Sequence, residues 1–129
     1  MRATRIALLG LLLCAAQVQA QTMPQPAYAG PKYDAASTCL SRQVEVLATR
    51  KIVASDFIIL ATGACQKPIT AYRDFVILTE TKTGTAESVA RQRATDAMTH
   101  LFREASAAFT ARIRGARDDK GLRLVELLS

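Results

Sequence analysis

Apolar side chains recur every three or four residues along much of the chain, which is the spacing of one face of an α-helix. The first such stretch covers 35–51 and has four apolar residues on one face: Ala36, Leu40, Val44 and Leu47. Asp34 lies directly before it and suits the N-terminal cap of a helix. A strand through Val44 and Val46 is the alternative, but Leu47 interrupts its alternation. We therefore predict a helix over 35–51.

The next apolar stretch is ambiguous at its start, because four consecutive apolar residues beginning at Phe57 suit either a buried strand or a helix. The wider window, 57–78, favours a helix, because its apolar residues are spaced three or four apart: Ile58, Ala61, Cys65, Ile69, Tyr72 and Val76. Pro68 removes one helical hydrogen bond and crowds the preceding turn. We predict a second helix that is kinked near Pro68, or broken into two near Gln66 and Lys67.

The third stretch, from Ala86 to about Arg117, has the longest helical pattern in the chain. One stripe along it consists mainly of small residues: Ala90, Ala94, Ala97, Leu101, Ala105, Ala108 and Arg112. A neighbouring stripe on the same helix consists of larger apolar residues: Met98, Phe102, Phe109 and Ile113. Alanine is the best helix former, and a rise of 1.5 Å per residue predicts a helix of about 45 Å.

The polar residues 118–121 are expected to end this helix and to leave a short apolar tail at 122–128. The tail suits a fourth helix, a strand or a docking segment for a partner, and we favour packing on the chain's own core. Its candidate contact residues for a partner are Leu122, Leu124, Val125 and Leu128.

Together these patterns predict a mainly α fold, a small bundle of three helices with the second kinked near Pro68. Cys39 and Cys65 lie equally far from a turn near residue 52, so an antiparallel hairpin places them level with one another. We therefore predict one disulfide between the first two helices, with two free thiols as the alternative. An α+β fold, in which two strands replace the second helix, is the alternative architecture.

Residues 1–20 have the features of a secretory signal peptide. Arg2 and Arg5 precede an apolar run, and Val18 and Ala20 are small residues at the positions that a signal peptidase recognises. The apolar run is much shorter than the roughly 20 residues that a membrane-spanning helix needs. Lipid attachment through Cys14 is disfavoured because a leucine precedes it. We expect cleavage after Ala20 and a periplasmic or secreted protein, with no transmembrane helix in the mature chain.

Composition limits the rest of the chain to a single small domain. Residues 21–33 hold three of the four prolines and show no periodicity, so we predict a flexible Pro-rich linker before one helical domain at 34–129. A length of 129 residues excludes a large multidomain enzyme. Loss of the two leader arginines lowers the net charge from +6 to +4, which leaves a modestly basic domain.

The chain lacks the common sequence signatures of enzymes. It has no Gly-rich phosphate loop, no zinc-binding H-E-x-x-H helix and no G-x-S-x-G nucleophile motif. His100 is the only histidine, and its helical position favours a residue at the edge of the core over a catalytic base. The carboxylates, Glu80 and Glu104 among them, are expected mostly on outer faces or at helix caps. We predict a non-enzyme that uses neither a cofactor nor a metal.

Arginines are concentrated on the predicted long helix, where they suit either a solvated face or a contact for an anionic partner. The candidate contact residues are Arg91, Arg93, Arg103, Arg112, Arg114 and Arg117. Nucleic acid is disfavoured, since an exported chain with few aromatic residues has little to stack on bases. The predicted function is an exported helical module that binds a protein or envelope component, or a second copy of itself. The alternative is a small-molecule binder with a cavity between helices.

Overall fold

The computed structural model describes residues 27–127, with side chains described for 27–118. It contains four helices, α1 (Pro31–Ala48), α2 (Ala54–Ala64), α3 (Gln66–Lys82) and α4 (Glu87–Leu127). Within the described residues there is no strand. The mainly α prediction is therefore confirmed, the α+β alternative is wrong, and the number of helices is four rather than three.

The fourth helix arises because the predicted second helix is broken, not kinked, beside Pro68. α2 ends at Ala64 and α3 begins at Gln66, with Cys65 between them in a non-helical conformation. Pro68 is then the third residue of α3, where a backbone N–H has no partner within the helix. A proline in a first turn removes no helical hydrogen bond, so Pro68 is accommodated at the start of a helix.

α1 begins four residues earlier and ends three residues earlier than predicted. Gly30 precedes it with φ 137°, a backbone conformation that favours glycine, and Pro31 occupies the first helical position, where its fixed φ is favourable. Asp34 is therefore in the first turn and not at the cap. The last three residues of the predicted linker are helical, whereas 21–26 and the predicted signal peptide lie outside the described residues.

α4 has 41 residues and does not end at 118–121 as predicted. A glycine inside a helix costs only about 1 kcal/mol relative to alanine, and no proline follows Pro68, so Gly121 is insufficient to stop it. At 1.5 Å per residue the helix is about 61 Å long. The tail is thus a continuation of α4 as far as Leu127, so it is helical, and neither a separate fourth helix nor the alternative of a strand. The side chains of Leu122, Leu124, Val125 and Leu128 lie outside the described residues, and their contact role stays a prediction.

The core forms where α4 packs against the other three helices. The predicted face of α1 is buried along its length, as are most members of the α4 stripe. Phe57 of α2 and Phe109 of α4 are fully buried and stack with their ring centroids 4.5 Å apart. The Cys39–Cys65 disulfide is present, with its Cα atoms 5.9 Å apart. It ties α1 to the junction of α2 and α3, which confirms the predicted pairing.

Candidate functional site

The six candidate arginines of α4 do not converge on one surface. All are exposed, but three of them contact carboxylates: Arg91 reaches Glu87 (2.5 Å), Arg93 reaches Glu80, and Arg112 reaches Glu45 (3.1 Å). At 100° per residue the other three share the outer face of the helix: Arg103, Arg114 and Arg117. The structure therefore divides the predicted set into a paired group and an outer-face group.

His100 is exposed on the outer side of α4. Its Nδ1 lies 3.6 Å from Oε1 of Glu104, and the hydroxyl of Tyr33 donates a hydrogen bond of 3.0 Å to the same carboxylate. The hydrogen bond from Tyr33 links α1 to α4. In the described part of the chain, no group of three or more His, Cys, Asp or Glu residues is arranged to hold a metal ion.

Glu80 is buried, contrary to the outer-face position expected from the sequence, with its side chain about one-tenth exposed. Its carboxylate accepts hydrogen bonds from the hydroxyls of Tyr28 (2.6 Å) and Thr85 (2.9 Å) and pairs with Arg93. The hydrogen bonds from Tyr28, Thr85 and Arg93 lower the pKa of Glu80, whereas burial opposes the shift. The cluster fastens the segment before α1 to the turn between α3 and α4.

Both oxygens of the Glu80 carboxylate are engaged, so the cluster suits a structural role better than acid–base chemistry. The bond to Glu80 raises the pKa of Tyr28, which keeps the phenol protonated and able to donate. Periodicity places Glu80 four residues after the core residue Val76, on the buried face of α3. That position is the signal in the sequence that points to a buried carboxylate.

We expect Glu80→Gln to destabilise the protein at neutral pH and progressively less in acid. Because the folded-state pKa of Glu80 is lowered, its stabilising contribution is present above the unfolded-state pKa and is lost as pH falls through the folded value. Unfolding in urea at pH 7 and at pH 3 measures the difference. Glu87→Gln is the control, since Glu87 is an exposed partner of Arg91 and exposed ion pairs contribute little to stability. Equal effects of Glu80→Gln at both pH values would contradict the prediction.

The two most exposed large apolar side chains of the described structure belong to α2 and its N-terminal cap. Ile59 is 73% exposed and Val53 60%, and Leu60 is 46% exposed. At 100° per residue Ile59 lies opposite the fully buried Phe57, whereas Leu60 lies at the edge of the buried side. We call Val53, Ile59 and Leu60 the α2 ridge. The apolar face predicted for this stretch runs through Ile58, Ala61 and Cys65 and does not include Ile59. The sequence does contain a signal for this exposure. Four consecutive apolar residues are distributed around the whole circumference of a helix, so a helix that packs on one side leaves some of them exposed.

Cations flank the α2 ridge at both of its ends. Arg50 and Lys51 are exposed in the turn before α2, and Lys67 is exposed in the first turn of α3. Lys67 shares a shallow surface depression with Gly63 and Ala64 at the end of α2. Asp56 is exposed in the first turn of α2, where the negative charge of its side chain interacts favourably with the helix dipole.

Open grooves run between helices in the part of the chain that the structure describes, and two of them bear on function. One, of about 320 Å³, lies between α1 and α4 and is lined by Ser37, Leu40, Ser41, Val44, Glu45, Leu101, Glu104, Ala105 and Ala108. The other, of about 480 Å³, lies between α3 and α4 and is lined by Arg73, Asp74, Ile77, Leu78, Thr81, Arg91, Ala94 and Thr95. Arg91, one of the predicted contact residues, lines the second groove together with Arg73, which was not among them.

In the part of the chain that the structure describes, no helix combines the length and apolar character needed to cross a membrane. Comparison with known proteins does not assign the chain to a group. No protein family model matches it, and no curated protein or solved structure is similar enough to count as a match.

Proposed function

We propose that the chain is an exported, non-enzymatic helical module that binds a protein or an envelope component through the α2 ridge. The observation that carries this proposal is the exposure of Val53, Ile59 and Leu60 on a helix whose other side is fully packed. Export is supported by the leader pattern at 1–20 and by the disulfide, because disulfides persist mainly in oxidising compartments.

The α2 ridge is apolar surface that lies outside the buried core of the bundle. Six large apolar residues are exposed in the described structure: Val46, Val53, Ile59, Leu60, Leu78 and Val89. Three of these six, Val53, Ile59 and Leu60, belong to α2 and its N-terminal cap. A helix that is apolar on all sides is normally buried on all sides. Clustered exposed apolar residues typically mark a site of interaction with a protein or a membrane.

A binding role is favoured over catalysis by the state of the chemically useful side chains. Glu80 is already held by three hydrogen-bonding groups, and His100 is an exposed partner of Glu104. Both cysteines of the described chain are joined in the disulfide. We therefore assign the contact with a partner to the exposed apolar surface of the α2 ridge.

Photo-crosslinking tests the proposed contact directly. With benzoylphenylalanine in place of Ile59, ultraviolet light is expected to produce a specific adduct in cells, because a bound partner covers this position. The control places the same residue at Leu78, which is 53% exposed on α3 and is expected to give no such adduct. Equal labelling from both positions, or none from position 59, would remove the α2 ridge as the contact surface.

A second candidate function, small-molecule binding, is favoured by the groove between α1 and α4. Its volume is at the lower end of the roughly 300–1,000 Å³ usual for ligand sites, and it combines an apolar floor with hydroxyl and carboxylate groups. Native mass spectrometry of the protein from its own compartment is the test. A retained ligand that is lost in Ala108→Leu, which narrows the groove at an exposed position, would favour this function over the first.

A further inference from the structure

We infer that the α2 ridge binds the surface of an anionic lipid bilayer, with its aliphatic side chains among the headgroups and the flanking cations against lipid phosphates. This inference rests on the proposed function and names the partner class for the same surface. It is carried by the combination of exposed apolar side chains with cations at both ends of one short helix.

Charge complementarity points to an anionic partner. Arg50 and Lys51 lie at one end of the ridge and Lys67 at the other, and all three are exposed. Asp56 is the one carboxylate within α2, and it lies in the first turn, on the same side of the helix as Ile59 and Leu60, which follow it by three and four residues. A surface with negative charge at both ends of the ridge therefore satisfies the cations while the apolar side chains leave water.

The same charges disfavour a second copy of the chain as the occupant. In an antiparallel pairing of two α2 helices, Arg50 and Lys51 of each copy approach Lys67 of the other. In a parallel pairing, each cation approaches its own equivalent. Either arrangement brings like charges together, which is unfavourable unless an anion lies between them.

The shape and composition of the ridge favour a bilayer over an acidic protein. The ridge consists of aliphatic side chains with no aromatic member, whereas the residues that contribute most to protein contacts are enriched in Trp, Tyr and Arg seated in pockets. The whole chain has no tryptophan, and Tyr72 is buried in the core. A bilayer needs no complementary pocket, because lipids rearrange around exposed side chains such as Ile59.

Vesicle binding tests the apolar part of the inference. The disulfide-bonded protein is expected to sediment with vesicles of phosphatidylglycerol and phosphatidylcholine and much less with phosphatidylcholine alone. The double variant Ile59→Gln, Leu60→Gln is expected to bind at least tenfold more weakly, since full burial of one exposed aliphatic side chain corresponds to about tenfold and Leu60 is already half-buried in the fold. Leu78→Gln is the matched control and is expected to bind like the unchanged protein. All these proteins share one N-terminus, so any contribution from residues 1–20 is common to the comparison.

Charge variants test the electrostatic part. The triple variant Arg50→Gln, Lys51→Gln, Lys67→Gln is expected to lose about fivefold in affinity per charge, and binding is expected to weaken as salt rises. Asp56→Asn is expected to bind more tightly, because it removes a negative charge beside the membrane. The matched control replaces the three outer-face arginines of α4, Arg103, Arg114 and Arg117, by glutamine. If that control loses as much affinity as the ridge variant, the basic face of α4 binds the lipid and the inference is wrong.

The crosslinking and vesicle experiments together separate this inference from the function on which it rests. A lipid adduct from position 59, with vesicle binding that depends on the ridge, supports both. A specific protein adduct from position 59, with no vesicle binding, leaves the binding module intact and overturns the lipid assignment. With neither an adduct nor vesicle binding, both fail.

Discussion

The double variant Cys39→Ala, Cys65→Ala is expected to lower the free energy of unfolding by about 3.5 kcal/mol. The cysteines are 26 residues apart in sequence, and closing a loop of that length restricts the unfolded chain by about this amount in the chain-entropy model. For a domain of this size, the change corresponds to a fall in Tm of roughly 14–28 °C. Thermal unfolding followed by circular dichroism measures it.

Two comparisons isolate the effect of the bond itself. Reduction of the unchanged protein is expected to produce a similar fall in Tm, because it removes the same link. Cys14→Ala is the control substitution, since that cysteine lies in the predicted leader and not in the bond. A double variant as stable as the unchanged protein would contradict the prediction, because it would show that the bond does not restrict the unfolded chain by the expected amount.

The second large effect is expected from Phe109→Ala, which should lower the free energy of unfolding by about 3–5 kcal/mol. Phe109 is fully buried and stacks on Phe57, so truncation leaves a cavity where α4 holds α2. Urea unfolding at neutral pH measures the loss. Ile59→Ala is the matched control on α2, and at an exposed position it is expected to change stability by less than about 0.5 kcal/mol.

A double-mutant cycle between the two phenylalanines extends this prediction. If the stacked pair contributes beyond its buried area, the combined variant Phe57→Ala, Phe109→Ala loses less than the sum of the single losses, by about 0.5–1.5 kcal/mol. Strict additivity would show that each ring packs independently. A strong loss in Ile59→Ala would instead show that the α2 ridge contributes to the fold.

These two interactions bear on the proposed function because both fix α2 in place. The disulfide holds the residue that follows its last turn, and the stacked phenylalanines hold its buried side. A helix held in this way presents Ile59 and Leu60 without reordering, and preorganisation of this kind reduces the entropic cost of binding.

Local periodicity was enough to predict α1 and the greater part of α4. Regular spacing identifies which residues share a face, so Leu40, Val44 and Leu101 were expected in the core and are buried there. Helix ends were predicted less well. Gly30 with Pro31 starts α1 earlier than Asp34 suggested, and Gly121 fails to end α4, because a single glycine is a weak stop signal in an otherwise favourable helix.

The sequence by itself determined the mainly helical class and the Cys39–Cys65 pairing, because repeat spacing and distance from a turn are properties of the chain alone. Only the tertiary structure decided which side of α2 is covered and which groups close around Glu80. Both outcomes depend on what distant segments cover. α4 packs over one side of α2 and leaves the other open, while Tyr28 and Arg93, distant in sequence, close around Glu80. The spacing of residues within one segment does not specify contacts between distant segments. Those contacts define the surface on which the proposed function rests.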